Sequence, residues 1–177
     1  ELFESNALGI KDIEDHADIN PVHGIQIEAV KSGVPHVDKT AIRKFLDQLQ
    51  YPLWLLDFET FQAAVPLYDG TKPYQQVPFQ FSLHVLDSPG APPVHHAWLV
   101  EGAGDPRPGF VAALKQAMGS IGSIVAYNIS FERARLNELG RHFPQHAAWL
   151  AETNERFVDL ITPFRQFAYY HPIQHGS

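Results

Sequence analysis

Cysteine is absent from the 177 residues of the chain, and methionine occurs only once. The missing thiols exclude disulfide scaffolds and thiolate zinc sites, and they fit a reducing compartment. A chain of this length with 45% hydrophobic residues can bury a core without such supports. The composition therefore predicts an ordinary globular protein, with room for one compact domain and a short appendage.

Long hydrophobic runs are also missing from the sequence. No apolar stretch approaches the roughly 20 residues that a helix needs to cross a bilayer. Residues 1–10 lack the basic start and the continuous apolar core of a secretory signal. We therefore expect no membrane contact and a cytoplasmic protein.

Positive charge is scarce, because 13 Lys and Arg residues stand against 20 Asp and Glu residues, for a formal net charge of −7. Proteins that hold nucleic acid through bulk electrostatics are generally basic. The charge balance thus counts against a high-affinity, non-specific DNA binder. Any contact with nucleic acid must be local, through metal ions and a few arginines.

The apolar pattern predicts strands and helices that alternate after an irregular start. We interpret residues 1–37, where Gly and Pro are spaced throughout, as a connector from an upstream region. Helices are expected at residues 38–50, 106–118, 129–140 and 147–154. Strands are expected at residues 53–58, 79–86, 95–100, 121–127 and 157–161. Since the second and third strands should be antiparallel and the later strands alternate with helices, the prediction is a mixed α/β sheet.

Two acidic residues end the first long strand, in the segment Leu-Trp-Leu-Leu-Asp-Phe-Glu-Thr at residues 53–60. The apolar run predicts a central strand that is covered on both faces. Asp57 and Glu59 are two positions apart, so they point to the same side of the strand. Two carboxylates this close repel each other unless a cation lies between them, and Mg²⁺ or Mn²⁺ takes oxygen ligands of this kind. The alternative is that both face solvent where the strand ends, and spacing alone does not separate the two.

A further acid follows in the segment Asn-Ile-Ser-Phe-Glu at residues 128–132, between a short apolar strand and a helix. Asn128 or Ser130 can cap that helix. Glu132 falls in its first turn, where the helix dipole favours acidic side chains. Taken alone, the segment therefore favours a dipole partner over a metal ligand.

Together the two segments resemble the first two motifs of the DEDD superfamily of 3′-to-5′ exonucleases, the DnaQ-like domains with a ribonuclease H-like fold. The resemblance covers roughly residues 51–165, and the segments 51–60, 78–84 and 163–172 are similar to an uncharacterised bacterial family of such domains. The resemblance implies a mixed sheet of three antiparallel strands followed by parallel strands, flanked by helices, in a domain over residues 38–177.

The resemblance also implies a two-metal mechanism of phosphodiester hydrolysis. Two Mg²⁺ or Mn²⁺ ions about 4 Å apart would clamp the scissile phosphate at the single-stranded 3′ end of DNA or RNA. Asp57, Glu59 and Glu132 are the implied metal ligands and catalytic residues.

Substrate contacts are implied around the same strand and helix. Thr60 and Asn128 flank the carboxylates, and Phe61 is placed to stack on a terminal base. Phe58 should point into the core, opposite Asp57. The long loop at residues 61–78 offers further candidate contacts at Tyr74, Gln75 and Gln76.

The sequence departs from the superfamily pattern in two ways. Glu132 stands where the superfamily usually has Asp. The third motif, a Tyr or His followed about one helical turn later by Asp on a late helix, is missing. Asp159 has no such Tyr or His upstream and lies on a predicted strand, so we do not assign it to the motif. We therefore expect the domain to be truncated at its C-terminal end and to be weak or inactive as it stands.

Other charged residues carry weaker signals. Arg133 and Arg135 can contact phosphate, although a solvated helix face is favoured, and the adjacent His95 and His96 point to opposite faces of a strand. Two alternative functions stay open: a non-catalytic nucleic-acid-binding or interaction module with the same fold, and another metal-dependent phosphohydrolase.

Overall fold

The computed structural model describes residues 9–13 and 20–174. The helices of this part of the chain are α1 (Pro21–Ser32), α2 (Lys39–Leu46), α3 (Pro106–Ala117), α4 (Ser130–His142), α5 (Ala147–Glu155) and α6 (Thr162–Arg165). The strands are β1 (His36–Val37), β2 (Leu53–Phe61), β3 (Val77–Leu86), β4 (Val94–Leu99), β5 (Ile124–Ala126), β6 (Phe157–Asp159) and β7 (Tyr169–Tyr170). None of the helices described is both long and apolar enough to cross a membrane.

The described residues fall into two compact units, which divide the chain at residues 49 and 160. The unit over residues 49–160 contains a five-stranded sheet in the order β4-β3-β2-β5-β6. The pairs β2–β3 and β3–β4 are antiparallel, whereas β2–β5 and β5–β6 are parallel. The predicted mixed α/β sheet, antiparallel in its first three strands and parallel thereafter, is confirmed.

Strand β2 lies in the middle of this sheet, between β3 and β5, and its side chains alternate between surface and core from Leu55 to Glu59. Leu56 and Phe58 are 3% and 4% exposed, and the Phe58 ring packs edge-on against Phe110 of α3 with 5.0 Å between centroids. Burying each such side chain stabilises the fold by about 2 kcal/mol. The prediction that β2 is covered on both faces is wrong, since Leu55 is 37% exposed. One face of the strand is open, and Asp57 and Glu59 lie on it.

Helix α4 packs on the core through Leu136 and Leu139, which are 0% and 2% exposed. It continues past Gly140, where it was expected to end. The backbone of Gly140 lies close to α5, so that a Cβ there would be 3.7 Å from the Cα of Ala147. Gly140 therefore does not terminate α4, and a Cβ at this position would make ordinary van der Waals contact with α5.

The predicted capping of α4 by Asn128 or Ser130 is also wrong. The N-cap residue is Ile129, and it makes no side-chain cap bond. Asn128 instead adopts a left-handed conformation with φ 66°, and its Oδ1 accepts a hydrogen bond from the Ser130 hydroxyl at 3.0 Å. These two polar side chains therefore bind each other at the start of α4.

Helix α3 begins at an ion pair that is largely shielded from water. The Oδ1 of Asp105 accepts the backbone N–H of Arg107 at 3.0 Å, and its Oδ2 lies 2.7 Å from Nη2 of the Arg107 guanidinium. Arg107 is 2% exposed, and its Nη2 also donates to the carbonyl of Asp69 at 2.8 Å. Burial acts to raise the pKa of Asp105, but the hydrogen bonds and the charge of Arg107 outweigh it and hold the pKa below the ordinary 3.8.

We expect Asp105→Asn to lower the free energy of unfolding by about 1 kcal/mol near neutral pH, because the buried guanidinium loses its counter-charge while the cap survives. A folded-state pKa below the unfolded value gives stability that is present above pH 3.8 and is lost as the pH falls through the folded-state pKa. The difference between the two proteins should therefore shrink in acid. Urea unfolding over a pH series measures it, and a difference that stays constant into acid contradicts the assignment.

The second unit comprises residues 1–48 and 161–177, of which the described parts form short elements. Helix α1 lies within the stretch interpreted as a connector, and the Asn20 side chain caps it by accepting the N–H of Val22 at 3.0 Å. Asp38 caps α2, and its side chain accepts the N–H groups of Thr40 and Ala41. Strands β1 and β7 pair antiparallel. The domain boundary at residue 37 stays a prediction.

Candidate carboxylate site

Asp57 and Glu59 lie on the open face of β2, near its carboxyl end. Across the strand pair, Asp57 lies opposite Ser82 and Glu59 opposite Gln80. The pairing register shifts between Glu59 and Thr60, which is where the regular ladder breaks. The structure thus puts the two acids on one face of the sheet, as the sequence predicts.

Glu132 has a different environment, because it is 5% exposed in the first turn of α4. Its Oε2 has no hydrogen-bond partner among the described residues. Burial raises the pKa of Glu132, its own backbone N–H opposes that effect, and the charges of Asp57 and Asp159 raise the pKa further. A solvated partner of the helix dipole would show neither the burial nor the unbonded oxygen. The interpretation of Glu132 as a simple dipole partner therefore explains only its backbone hydrogen bond.

The sheet order explains why these acids lie near one another. Strand β5 runs parallel to β2 on one side and to β6 on the other, so the carboxyl ends of all three meet at one edge. Asp57 lies toward this end of β2, Asp159 is the last residue of β6, and Glu132 lies in the first turn of the helix that follows β5. We call Asp57, Glu132 and Asp159 the carboxylate cluster.

Asp159 is the member of the cluster that sequence reasoning left unassigned. Its Oδ1 accepts the backbone N–H of Asn128 at 2.9 Å, so it supports the turn between β5 and α4. The sequence alone shows that Asp159 is an acid on a predicted strand. It does not show the distance of Asp159 from Glu132, because that distance depends on which strands pair.

The cluster does not amount to a fully assembled metal centre. Within residues 9–13 and 20–174, no group of three or more His, Asp or Glu side chains is arranged to hold an ion. Glu59 shares a strand face with Asp57 but is not among the carboxylates that raise the pKa of Glu132. The unbonded Oε2 of Glu132 fits an ion, and the charge of Asp57 acts on the same carboxyl group. The residues therefore fit the expected Mg²⁺ or Mn²⁺ site in part.

The predicted substrate contacts have mixed surroundings. Phe61 is half-buried, and its ring lies 6.1 Å from both Tyr68 and Phe79, measured between centroids. Thr60 is half-buried at the point where the β2–β3 register shifts. Asn128 donates its N–H to Asp159, as described above. Phe61 therefore belongs to a group of three aromatic rings beside the carboxyl end of β2.

Two of the three arginines of α4, Arg133 and Arg135, already have partners. Arg135 contacts Gln76 and Glu138, lies 5.4 Å from the centroid of Phe131, and has a side chain that is only 11% exposed. The expectation of a solvated helix face is thus wrong for Arg135. Arg133, at 42% side-chain exposure, lies 3.9 Å from Glu155.

Two histidines occupy the open sheet face beside Asp57. The rings of His84 and His95 stack with 4.3 Å between centroids, and Nε2 of His95 lies 3.0 Å from the Ser82 hydroxyl. These contacts join the histidines to each other and to β3.

Comparison with known proteins gives one match. A family model described as Domain of unknown function (DUF2779) matches residues 54–177, which is more than half of the chain. No curated protein and no solved structure gives a significant match. The matched segment contains every member of the carboxylate cluster.

Proposed function

The chain belongs to the family described as Domain of unknown function (DUF2779), and we propose that it is a metal-dependent 3′-to-5′ exonuclease-like domain of the DEDD type. The observation that carries the proposal is Glu132, a buried carboxyl group whose Oε2 has no partner in the described residues and which the charge of Asp57 reaches. A buried acid of this kind is costly unless a cation or a proton compensates it.

The topology supports the same proposal. Three antiparallel strands are followed by two parallel strands, with Asp57 toward the end of the central one and Glu132 on the helix after its parallel neighbour. That arrangement agrees with a ribonuclease H-like fold. Active sites of open α/β sheets commonly form at the carboxyl ends of such strands.

Asp57 and Glu132 are the residues that would hold a divalent ion, with Glu59 available on the same strand face. When bound, Mg²⁺ or Mn²⁺ supplies charge stabilisation for a phosphate and lowers the pKa of bound water. Asp159 holds the turn from which α4 starts, and thereby positions Glu132. The aromatic group of Phe61, Tyr68 and Phe79 offers a surface on which a terminal base can stack.

A second candidate is a nucleic-acid-binding module that keeps the fold without catalysis. The observation that favours it is that the described residues contain no assembled group of three ligands. With one ion held weakly, such a module would bind the 3′ end of a strand and leave it intact.

Incubation of the protein with 5′-labelled single-stranded DNA and RNA oligonucleotides in Mn²⁺ tests the proposal. We expect slow, stepwise shortening from the 3′ end, slow because the third motif is missing from the sequence, that stops when EDTA removes the ion or when a phosphate blocks the 3′ end. Metal-dependent binding without shortening supports the non-catalytic module. Hydrolysis of nucleotide monoesters in place of oligonucleotides contradicts both and indicates another phosphohydrolase.

A further inference from the structure

A cavity of about 390 Å³ lies between the loop after β2 and the second half of α4. Its lining includes Lys72, Tyr74 and Gln75 from the loop, and Glu138, Arg141 and His142 from the helix. The volume falls in the range of small-ligand sites, which runs from roughly 300 to 1,000 Å³. We call it the α4 cavity.

The charges that line the α4 cavity are mainly positive, in contrast to the net charge of −7 of the chain. The side chains of Lys72 and Arg141 are exposed, and within the described part of the chain neither forms an ion pair. The acid of the cavity, Glu138, is already neutralised by Arg135, whose Nη2 lies 2.7 Å from its Oε1. Two cations are therefore available to an anionic ligand in an acidic protein.

The loop wall of the α4 cavity is held in place by close contacts. Gly70 has φ 72°, and a Cβ there would lie 2.7 Å from Cε1 of the His142 ring, so the loop backbone rests directly against α4. The N–H of Tyr74 donates to the carbonyl of Ala63 at 2.8 Å, and that of Lys72 donates to Oε1 of Gln75 at 3.0 Å. On its loop side, the cavity is thus bounded by a backbone that hydrogen bonds hold in position.

Tyr74 adds an aromatic surface that has no role in the core. Its backbone is in the left-handed region with φ 58°, a conformation that costs a residue other than glycine about 1 kcal/mol or more. The ring nevertheless stays 66% exposed at the rim of the cavity. An exposed ring beside two cations matches a nucleotide, whose base stacks on aromatic rings and whose phosphate attracts Lys and Arg.

The α4 cavity also lies within reach of the carboxylate cluster. Arg141 follows Glu132 by nine residues on the same helix, a separation of about 14 Å along the axis and about two and a half turns, so the two side chains project from opposite sides of α4. An extended single strand covers that distance with a few nucleotides. A strand with its 3′ end at Glu132 would bring a nucleotide several positions upstream to Arg141 only if it passes around α4 on the side of the loop that lines the cavity.

We propose that the α4 cavity, through Lys72, Arg141 and the ring of Tyr74, binds one upstream nucleotide of a single-stranded nucleic acid whose 3′ end lies at the carboxylate cluster. This inference rests on the proposed function. A free mononucleotide carries the same base and phosphate as a nucleotide within a strand, so the experiment tests both ligands.

Binding is measured by fluorescence anisotropy at low salt, where phosphate contacts are strongest, in Mn²⁺ with a strand whose 3′ end carries a blocking phosphate, so that no hydrolysis occurs. The probe is a labelled single strand of about eight nucleotides, the length range of single-strand sites. Lys72→Ala with Arg141→Ala is expected to raise Kd about tenfold and to flatten the salt dependence. Tyr74→Gly, which also relieves the backbone strain, is expected to raise Kd about fivefold.

The matched control is Lys39→Ala with Arg43→Ala, which removes the same charge from exposed positions of α2. Equal weakening by the control pair, or no binding of the strand to the unchanged protein, overturns the inference. Displacement of a labelled mononucleotide from the cavity, with binding of the strand unaffected by the variants, assigns the cavity to free nucleotides and also overturns it. Because the binding measurement needs no catalysis, its result is independent of the hydrolysis assay that tests the proposed function.

In Mn²⁺, hydrolysis of a dinucleotide provides an internal check because a dinucleotide is too short to reach the α4 cavity from the carboxylate cluster. Its rate should be the same in the unchanged protein and in the Lys72→Ala, Arg141→Ala variant, while KM for the longer strand rises. A fall in the dinucleotide rate would mean that the variant disturbs the carboxylate cluster itself, and would contradict a separate upstream site.

Discussion

Asp57→Asn is expected to lower the rate of Mn²⁺-dependent oligonucleotide hydrolysis by at least about 100-fold, the effect of removing a main electrostatic contributor to catalysis. The substitution keeps the shape of the side chain and removes its charge. Because Asp57 is exposed on the open face of β2, the fold should be unaffected. Rates of 3′-end shortening, measured at saturating Mn²⁺ and over a Mn²⁺ titration, give both the maximal rate and the apparent metal affinity.

Asp87→Asn serves as the control for this experiment. Asp87 is an exposed acid that directly follows β3, so it lies at the opposite end of that strand from Gln80, the partner of Glu59. The Asp87→Asn variant loses one negative charge away from the carboxylate cluster. Its rate of oligonucleotide hydrolysis should stay within about twofold of that of the unchanged protein. If Asp57→Asn retains full activity, or if both variants lose it equally, the assignment of Asp57 as a metal ligand is wrong.

Much of the sheet was predictable from local patterns. The apolar run before Asp57 predicts a central strand, and the alternation from Phe79 to Val85 predicts a second, half-buried strand, and the structure contains both. Coverage of the second face of β2 was not predictable, because an apolar run such as Leu53–Leu56 looks the same whether or not another layer packs on Leu55. The pairing of β1 with β7 joins residues far apart in sequence, which no local pattern reports.

Only the sequence motifs of the site were predictable, not the arrangement of its residues. Asp57 and Glu132 could be named because each follows a strand in a recognisable segment. Their mutual influence, and that of Asp159, comes from the parallel order β2-β5-β6, which is a property of the folded sheet. Burial of Glu132 was likewise invisible, since acids in a first helical turn are usually solvated. Because Oε2 of Glu132 has no hydrogen-bond partner among the described residues, this buried carboxyl group needs a cation or a proton. That need is independent of any motif similarity.

Glu132→Gln tests that need directly through stability. In EDTA at neutral pH, we expect the variant to be more stable than the unchanged protein by about 1 kcal/mol, because a neutral amide replaces a desolvated charge near Asp57 and Asp159. Urea unfolding gives the free energies. Glu152→Gln, at an exposed position of α5, is the matched control and should change the free energy of unfolding by less than about 0.5 kcal/mol.

The pH dependence of the same comparison has a defined sign. Burial raises the folded-state pKa of Glu132 above its ordinary 4.5, and the neighbouring carboxylates raise it further. The unfolded chain therefore loses this proton at lower pH than the folded protein, and the stability of the unchanged protein falls as the pH rises from 4.5 through the folded-state pKa. The advantage of Glu132→Gln should be absent below pH 4.5 and appear above it. An advantage that is independent of pH would have another origin.

Mn²⁺ should reverse the order of stability. An ion that binds only the folded protein stabilises it by about 2.7 kcal/mol at a concentration 100 times Kd. The unchanged protein should gain this increment, while Glu132→Gln, which has lost a ligand and the charge that attracts the ion, should gain much less. The same carboxyl group would then destabilise the metal-free protein and stabilise the metal-bound one. Equal stabilisation of both proteins by Mn²⁺ would exclude Glu132 as a ligand, whatever the hydrolysis assay shows.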